Sequence, residues 1–198
     1  MIKTSTCIVG LKHDGKVYIG GDSLGSTSNS GTINKTKKVF HLQNKPEIIV
    51  GYTSSYRMGQ LLQYSSSLFN DDDFLINDRI DERYLVNTFI PNIQKLFKDG
   101  GYQRSHSDEV SGGTFLLGYK DKLYKVQEDY SILESNNDYT ACGCGEDFAL
   151  GSLFTTEKSL LTPEQRIEFA LQSASNFSIG VAPPFWMVNT SNMEVTQL

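Results

Sequence analysis

The strand-forming segments of this 198-residue chain fall into two blocks, each followed by helical periodicity, and that order limits the folds open to it. Thr4–Leu11 and Lys16–Gly21 are rich in apolar and β-branched residues and are separated by His13-Asp14-Gly15. An Asp-Gly pair between apolar runs signals a tight hairpin, because both turn positions take positive φ. Asp22 to Asn34 reads as a polar loop. Lys37–Leu42 and Glu47–Tyr52 then read as a second strand pair, turning near Gln43-Asn44-Lys45-Pro46.

Helical spacing follows. Met58, Leu61, Leu62 and Tyr64 leave one apolar side, and Ile80, Tyr84, Leu85, Phe89, Ile93, Leu96 and Phe97 form a longer stripe. Pro91 lies inside that stripe and should kink it, since proline lacks an amide donor. Asn70–Asp81 reads as an acidic surface loop without the alternating ligand register of a calcium site. Gly101–Asp108 reads as a polar loop with His106 solvated. The second block opens with a hairpin of Gly113–Tyr119 and Lys122–Gln127. Tyr139–Cys142 is a short strand leading into a helix over Asp147–Phe154. Thr162-Pro163-Glu164-Gln165 starts the last helix: threonine caps, proline takes the first helical position, and Gln165 completes a capping box. Its apolar face is Ile167, Ala170, Leu171 and Ala174, and Phe185–Val188 reads as a final strand.

Strands grouped in this way cannot form βαβ crossovers. Two sheets packed face to face, each covered on its outer side by a helical pair, bury both blocks. The expected class is therefore α+β, a four-layer αββα sandwich.

Charge and cysteine usage exclude several functions. The net charge is −5, so there is no basic face for a nucleic acid. No apolar run approaches the ~20 residues that span a bilayer. Met1–Ser5 is too short and polar for a secretory signal, and an odd count of cysteines (Cys7, Cys142, Cys144) reads as reduced thiols in the cytoplasm. His13, His41 and His106 are scattered, which gives no metal site. No cofactor is called for.

Thr6, Asp22 and Lys38 lie on this framework at separations of 16 and 32 residues. Singly each has an ordinary reading: a β-branched strand residue, a turn aspartate, an exposed lysine. Thr4, Ser5 and Cys7 are alternative nucleophiles by chemistry, but none matches both separations. Two further segments join the set. Gly143-Cys144-Gly145 is followed by Ala149 and Gly151, and Ile48-Ile49-Val50-Gly51-Tyr52-Thr53-Ser54 closes a strand with a turn.

Together these segments resemble the proteasome β-subunit family of N-terminal nucleophile hydrolases, close to the proteolytic subunit of the bacterial ATP-dependent two-subunit protease. The resemblance implies the same αββα sandwich over residues 6–198, preceded by a short propeptide, residues 1–5. It implies Thr6 as nucleophile of a threonine-type peptidase, with Lys38 and Asp22 completing the site. It also implies an oxyanion donor from the Gly51–Ser54 turn, with Cys144 where the family usually has serine. A specificity pocket is implied between the segment after Lys38 and that turn, with Tyr52 and Met58 as candidate apolar lining. The implied partners are further copies in a homo-oligomeric ring, a peptide or unfolded protein substrate, and a ring-shaped ATPase unfoldase.

The sequence departs from the family in three ways. Ser5, not glycine, precedes Thr6; Cys144 is a weaker hydrogen-bond partner than serine; and Asn176–Val181 lacks an Asp-x-x-Ser-Gly-Gly pattern. A catalytically inactive ring or scaffold protein that keeps the fold is the alternative that Ser5 and Cys144 favour; the bacterial two-subunit protease also lacks the third pattern. An amidase acting on a small molecule is a third. The chemistry turns on the first departure. A hydroxyl needs a base to lose its proton, and here the base would be the α-amine of Thr6, whose ordinary pKa is about 8. With Ser5 attached that nitrogen is an amide and has no basic lone pair.

Overall fold

The computed structural model describes residues 5–27, 30–69, 80–106 and 109–198. β1 (Cys7–His13) and β2 (Lys16–Gly21) form the expected hairpin. Asp14 and Gly15 take φ of 47° and 71°, the left-handed pair that such a turn requires. β3 (Leu24–Thr27) and β4 (Ser30–Ile33) form a small hairpin, with β4 exposed, where the sequence suggested a loop. Its serines, threonines and glycines carry no apolar alternation, so pairing rather than burial defines it. β5 (Val39–Leu42) and β6 (Lys45–Tyr52) complete the first strand block.

α1 (Tyr56–Tyr64) is capped by the Ser55 hydroxyl. α2 is continuous from Glu82–Tyr84 through a π-helical stretch, Leu85–Phe89, into Ile90–Asp99. The helix therefore passes Pro91 by widening the preceding turn, which is another way to accommodate a missing donor and a bulky ring. Of the expected acidic loop, residues 70–79 lie outside the described residues; Asp81 caps α2 by accepting from the Tyr84 amide at 2.8 Å. The expected polar loop around His106 contains a short hairpin, β7 (Arg104–His106) and β8 (Glu109–Ser111).

β9 (Phe115–Tyr119), β10 (Lys122–Val126), β11 (Ile132–Glu134) and β12 (Tyr139–Gly143) form the second block. α3 (Glu146–Thr155) and α4 (Pro163–Phe177) follow, then β13 (Trp186–Asn189) and β14 (Thr196–Gln197). The α4 capping box is formed: Gln165 N donates to the Thr162 hydroxyl, and Thr162 N to the Gln165 side chain.

Among the described residues, one sheet runs β12-β1-β2-β13-β14 and the other β11-β10-β9-β6-β5. They pack face to face, with α3 and α4 over the first and α1 and α2 over the second. This is the four-layer αββα sandwich expected. Strand alternation assigns the cores. Val9 and Leu11 join Ile167 and Leu171 beneath α4, while Ile8 meets Ile19, Ile49 and Leu116 between the sheets. Ile48, Val50 and Phe115 point the other way, to Phe89 and Ile93 of α2. Both faces of each sheet are thus buried, which is why few strands show a polar side.

Candidate active site

Thr6, Asp22 and Lys38 each stand one residue outside a strand: before β1, after β2 and before β5. The β1–β2 register pairs Ile8 with Gly21, so the start of β1 and the end of β2 lie side by side. β5 belongs to the other sheet, which puts the site at the mouth between the two sheets. There the Lys38 ammonium donates to Thr6 Oγ1 at 2.9 Å, to Asp22 Oδ1 at 2.9 Å and to the Leu24 carbonyl at 2.6 Å. A longer contact of 3.4 Å reaches the Ser5 carbonyl, which also accepts from the Thr6 hydroxyl.

Asp22 is the hub of this end of the fold. Its Oδ1 also accepts from Cys7 N at 3.0 Å, and its Oδ2 from Leu24 N at 3.0 Å and Ala182 N at 3.5 Å. Residue exposures of 4% for Thr6, 0% for Asp22 and 3% for Lys38 leave little water to screen the pair. Burial pushes the Asp22 carboxyl up, against the pull of the Lys38 ammonium and the Cys7 amide. Burial likewise lowers Lys38, and the Asp22 charge opposes it. The hydrogen-bond set fits an ion pair, with an ammonium directed at a hydroxyl.

The other nucleophiles separate from this cluster. Burial holds the Cys7 thiol well above its ordinary value, and it packs beneath α3 and α4. The Ser5 hydroxyl bonds the Ser26 hydroxyl of β3, and Thr4 lies outside the described residues.

The turn between β12 and α3 holds Thr6 from the other side. Thr6 N donates to Cys144 Sγ at 3.4 Å, and Gly145 N to the Thr6 carbonyl at 3.4 Å. Gly143 has φ +101°, and a Cβ there would lie 2.2 Å from the Thr6 carbonyl oxygen, so only glycine lets the turn approach.

The sequence pattern of proteasome subunits matches residues 2–178. The chain belongs to the proteasome subunit family. It is 21% identical over 181 residues to the ATP-dependent protease subunit HslV of Cytophaga hutchinsonii, covering 88% of this chain and 90% of that one. In fold it is similar to Thiobacillus denitrificans BPH in complex with epoxomicin, with a TM-score of 0.72 and 16% identity over 95% of this chain and 99% of that one. Eukaryotic HslV from Trypanosoma brucei gives a TM-score of 0.65 at 12% identity, over 92% and 98% of the two chains. The chain is thus a proteasome-like member of the N-terminal nucleophile hydrolase fold, near bacterial HslV.

In this proteasome subunit the remaining residues singled out in the sequence divide. Gly51 is a packing residue: it sits within β6, and a Cβ would meet Ile8 and Ile19 at 2.6 Å between the sheets. Ser54 lies in the turn beyond, next to Thr53. Tyr52 ends β6 and Met58 lies in α1. Both are buried in the core beneath α1 and α2, with the Tyr52 ring laid over Gly59. Strand alternation sends Ile48, Val50 and Tyr52 to the same helical side, away from the space between the sheets. The sequence reading missed Ser178, whose hydroxyl lies 3.3 Å from Cys144 Sγ and accepts from Gly180 N at 3.4 Å. The Ser-x-Gly within Asn176–Val181 was its only signal. Among the described residues no group of three or more His, Cys, Asp or Glu could hold a metal, and no helix is long and apolar enough to cross a membrane.

Proposed function

We propose that this chain is a threonine-type N-terminal nucleophile peptidase, with Thr6 as nucleophile once residues 1–5 are removed. The observation that carries the reading is the Lys38 ammonium 2.9 Å from both Thr6 Oγ1 and Asp22 Oδ1, all three buried. The α-amine of an exposed Thr6 takes the hydroxyl proton through a water. Oγ1 attacks the substrate carbonyl carbon, an amide of the 51–54 turn stabilises the oxyanion, and the peptide amine leaves with the proton. Water then hydrolyses the ester on Thr6. Lys38 lowers the amine's proton affinity and stabilises the alkoxide-like transition state; Asp22 fixes Lys38 in place. An intact mass of the mature protein that lacks residues 1–5 tests this. A full-length mass in protein that hydrolyses peptides overturns it, because the base would not exist.

The rate should follow a bell in pH. It rises as the amine loses its proton and falls when Lys38 loses its own. Burial lowers Lys38 from the ordinary 10.5, so the alkaline limb should fall below that value. Replacing Lys38 by arginine, which does not titrate in this range, should remove the alkaline limb from whatever activity is left. A limb unchanged in that variant assigns the titration elsewhere.

By the same reading the chain works in the cytoplasm as a homo-oligomeric ring on a peptide or unfolded protein, with a ring-shaped ATPase as partner. The relative named an ATP-dependent protease subunit supports the last point, and epoxomicin is a natural probe for Thr6. An apolar outer face on α3 and α4, with Phe148, Phe154, Phe169 and Phe177 all exposed, supports burial against a second copy. Phe154→Glu should then shift the sedimenting species to a smaller one at micromolar concentration, and an unchanged species would move the contact to another face. The inactive scaffold reading rests on Ser5 in place of a free Thr6 amine and on a thiol at Cys144.

A further inference from the structure

Ser54 has φ +69°, in the left-handed region where a residue with a Cβ is uncommon. A knot of polar contacts surrounds it. Thr53 Oγ1 donates to the Thr114 carbonyl at 2.8 Å and lies 3.1 Å from Ser54 Oγ. Ser54 Oγ accepts from Thr114 N at 3.4 Å, and Thr53 N donates to the same Thr114 carbonyl at 3.0 Å. This turn abuts the strand end that carries Thr6: a Cβ built on Gly143 would lie 2.2 Å from the Thr6 carbonyl oxygen and 3.4 Å from Thr53 Cγ2. The neighbouring amides are all engaged, Tyr52 N with Lys38 O, Thr53 N with Thr114 O and Ser55 N with Thr53 O. Among the described residues the Ser54 amide has no protein acceptor.

We infer that Ser54 is a positioning residue, whose hydroxyl, with Thr53 and Thr114, locks the left-handed turn that keeps its own amide available to an oxyanion forming at Thr6. The inference rests on the threonine-peptidase reading. Glycine would adopt this φ with no lock, whereas serine is held in it by the hydroxyl contacts. Ser54→Ala therefore keeps the Cβ and loses the lock, so the turn relaxes and the amide rotates. Ser54→Gly loses both, and the left-handed φ stays accessible.

The test uses protein that begins at Thr6 and a short peptide amide substrate. Ser54→Ala should lower kcat by about 10- to 100-fold, the effect of misplacing a catalytic donor, with KM little changed. Ser54→Gly should restore most of that loss. Thermal midpoints should stay together across the set, which separates positioning from stability. A vinyl sulfone, which alkylates the hydroxyl without a tetrahedral oxyanion, should still label Thr6 in Ser54→Ala. Equal kcat in Ser54→Ala and the parent overturns the lock, as does equal impairment of the alanine and glycine variants. A parent that neither turns over nor labels removes the threonine-peptidase reading itself, and the lock with it.

Discussion

A chain that begins at Thr6 is expected to hydrolyse short peptide amides, and the full-length chain is expected to be inert. Two features of the geometry support this expectation. With Ser5 attached, Thr6 N is a peptide nitrogen, donating to Cys144 Sγ at 3.4 Å with no lone pair to act as a base. The Ser5 carbonyl also accepts from both the Thr6 hydroxyl and the Lys38 ammonium, so the nucleophile and its cation face the preceding residue and not a substrate. Removing residues 1–5 creates the amine and clears that space together. Acid–base assistance of this kind is typically worth ~100–10,000-fold, well above assay noise. Thr6→Ala should abolish the gain by removing the nucleophile, and Lys38→Ala by removing the charge that tunes the amine. Sedimentation should show assembly intact in the Thr6 variant. If the exposed-Thr6 protein folds and assembles, yet neither hydrolyses peptides nor reacts with a threonine-directed electrophile, the scaffold reading stands.

Asp22→Ala should cost the fold far more than Lys38→Met, although both should silence the site. Asp22 is 0% exposed and serves the Lys38 ammonium and three backbone amides, those of Cys7, Leu24 and Ala182. Alanine there leaves a buried cation without its counter-charge and three donors without an acceptor. Breaking a buried pair in this sense costs about 3–5 kcal/mol. Lys38→Met removes the cation and fills its volume, while Asp22 keeps its amides. Burial already pushes the Asp22 carboxyl up, so it can neutralise by taking a proton once the ammonium is gone. Asp22→Asn should fall between the two, because one oxygen still accepts. Thermal midpoints at fixed protein concentration read the order directly. Equal losses for Asp22→Ala and Lys38→Met would mean that the ion pair, and not the amide hub, holds this end of the sandwich.

Much of the framework was legible because it rests on short-range chemistry. Asp14-Gly15 dictated the first hairpin, and Thr162, Pro163 and Gln165 dictated the start of α4. The edge elements were not. β3 and β4 are short and mostly polar, and β14 is two residues long, so none of them carries a hydrophobic period to read. The direction of Tyr52 is hidden for the opposite reason: β6 is apolar on both sides because helices cover one face and a sheet the other. Without a polar face, alternation does not reveal which way a side chain points.

The sequence alone determined the order of the principal strands and helices, the first hairpin turn and the α4 cap, and the separations of Thr6, Asp22 and Lys38 along the chain. Those properties depend on a few neighbouring residues at a time. Tertiary structure alone decided that Lys38, from one sheet, meets Thr6 and Asp22, from the other. It also placed Cys144, 138 residues away, against the Thr6 nitrogen, and brought Ser178 beside Cys144. It turned Gly51 inward to pack between the sheets and bent Ser54 into the left-handed turn beyond it. Contacts at that range follow from sheet register and from packing across the gap between two sheets. No local pattern of residues encodes either one.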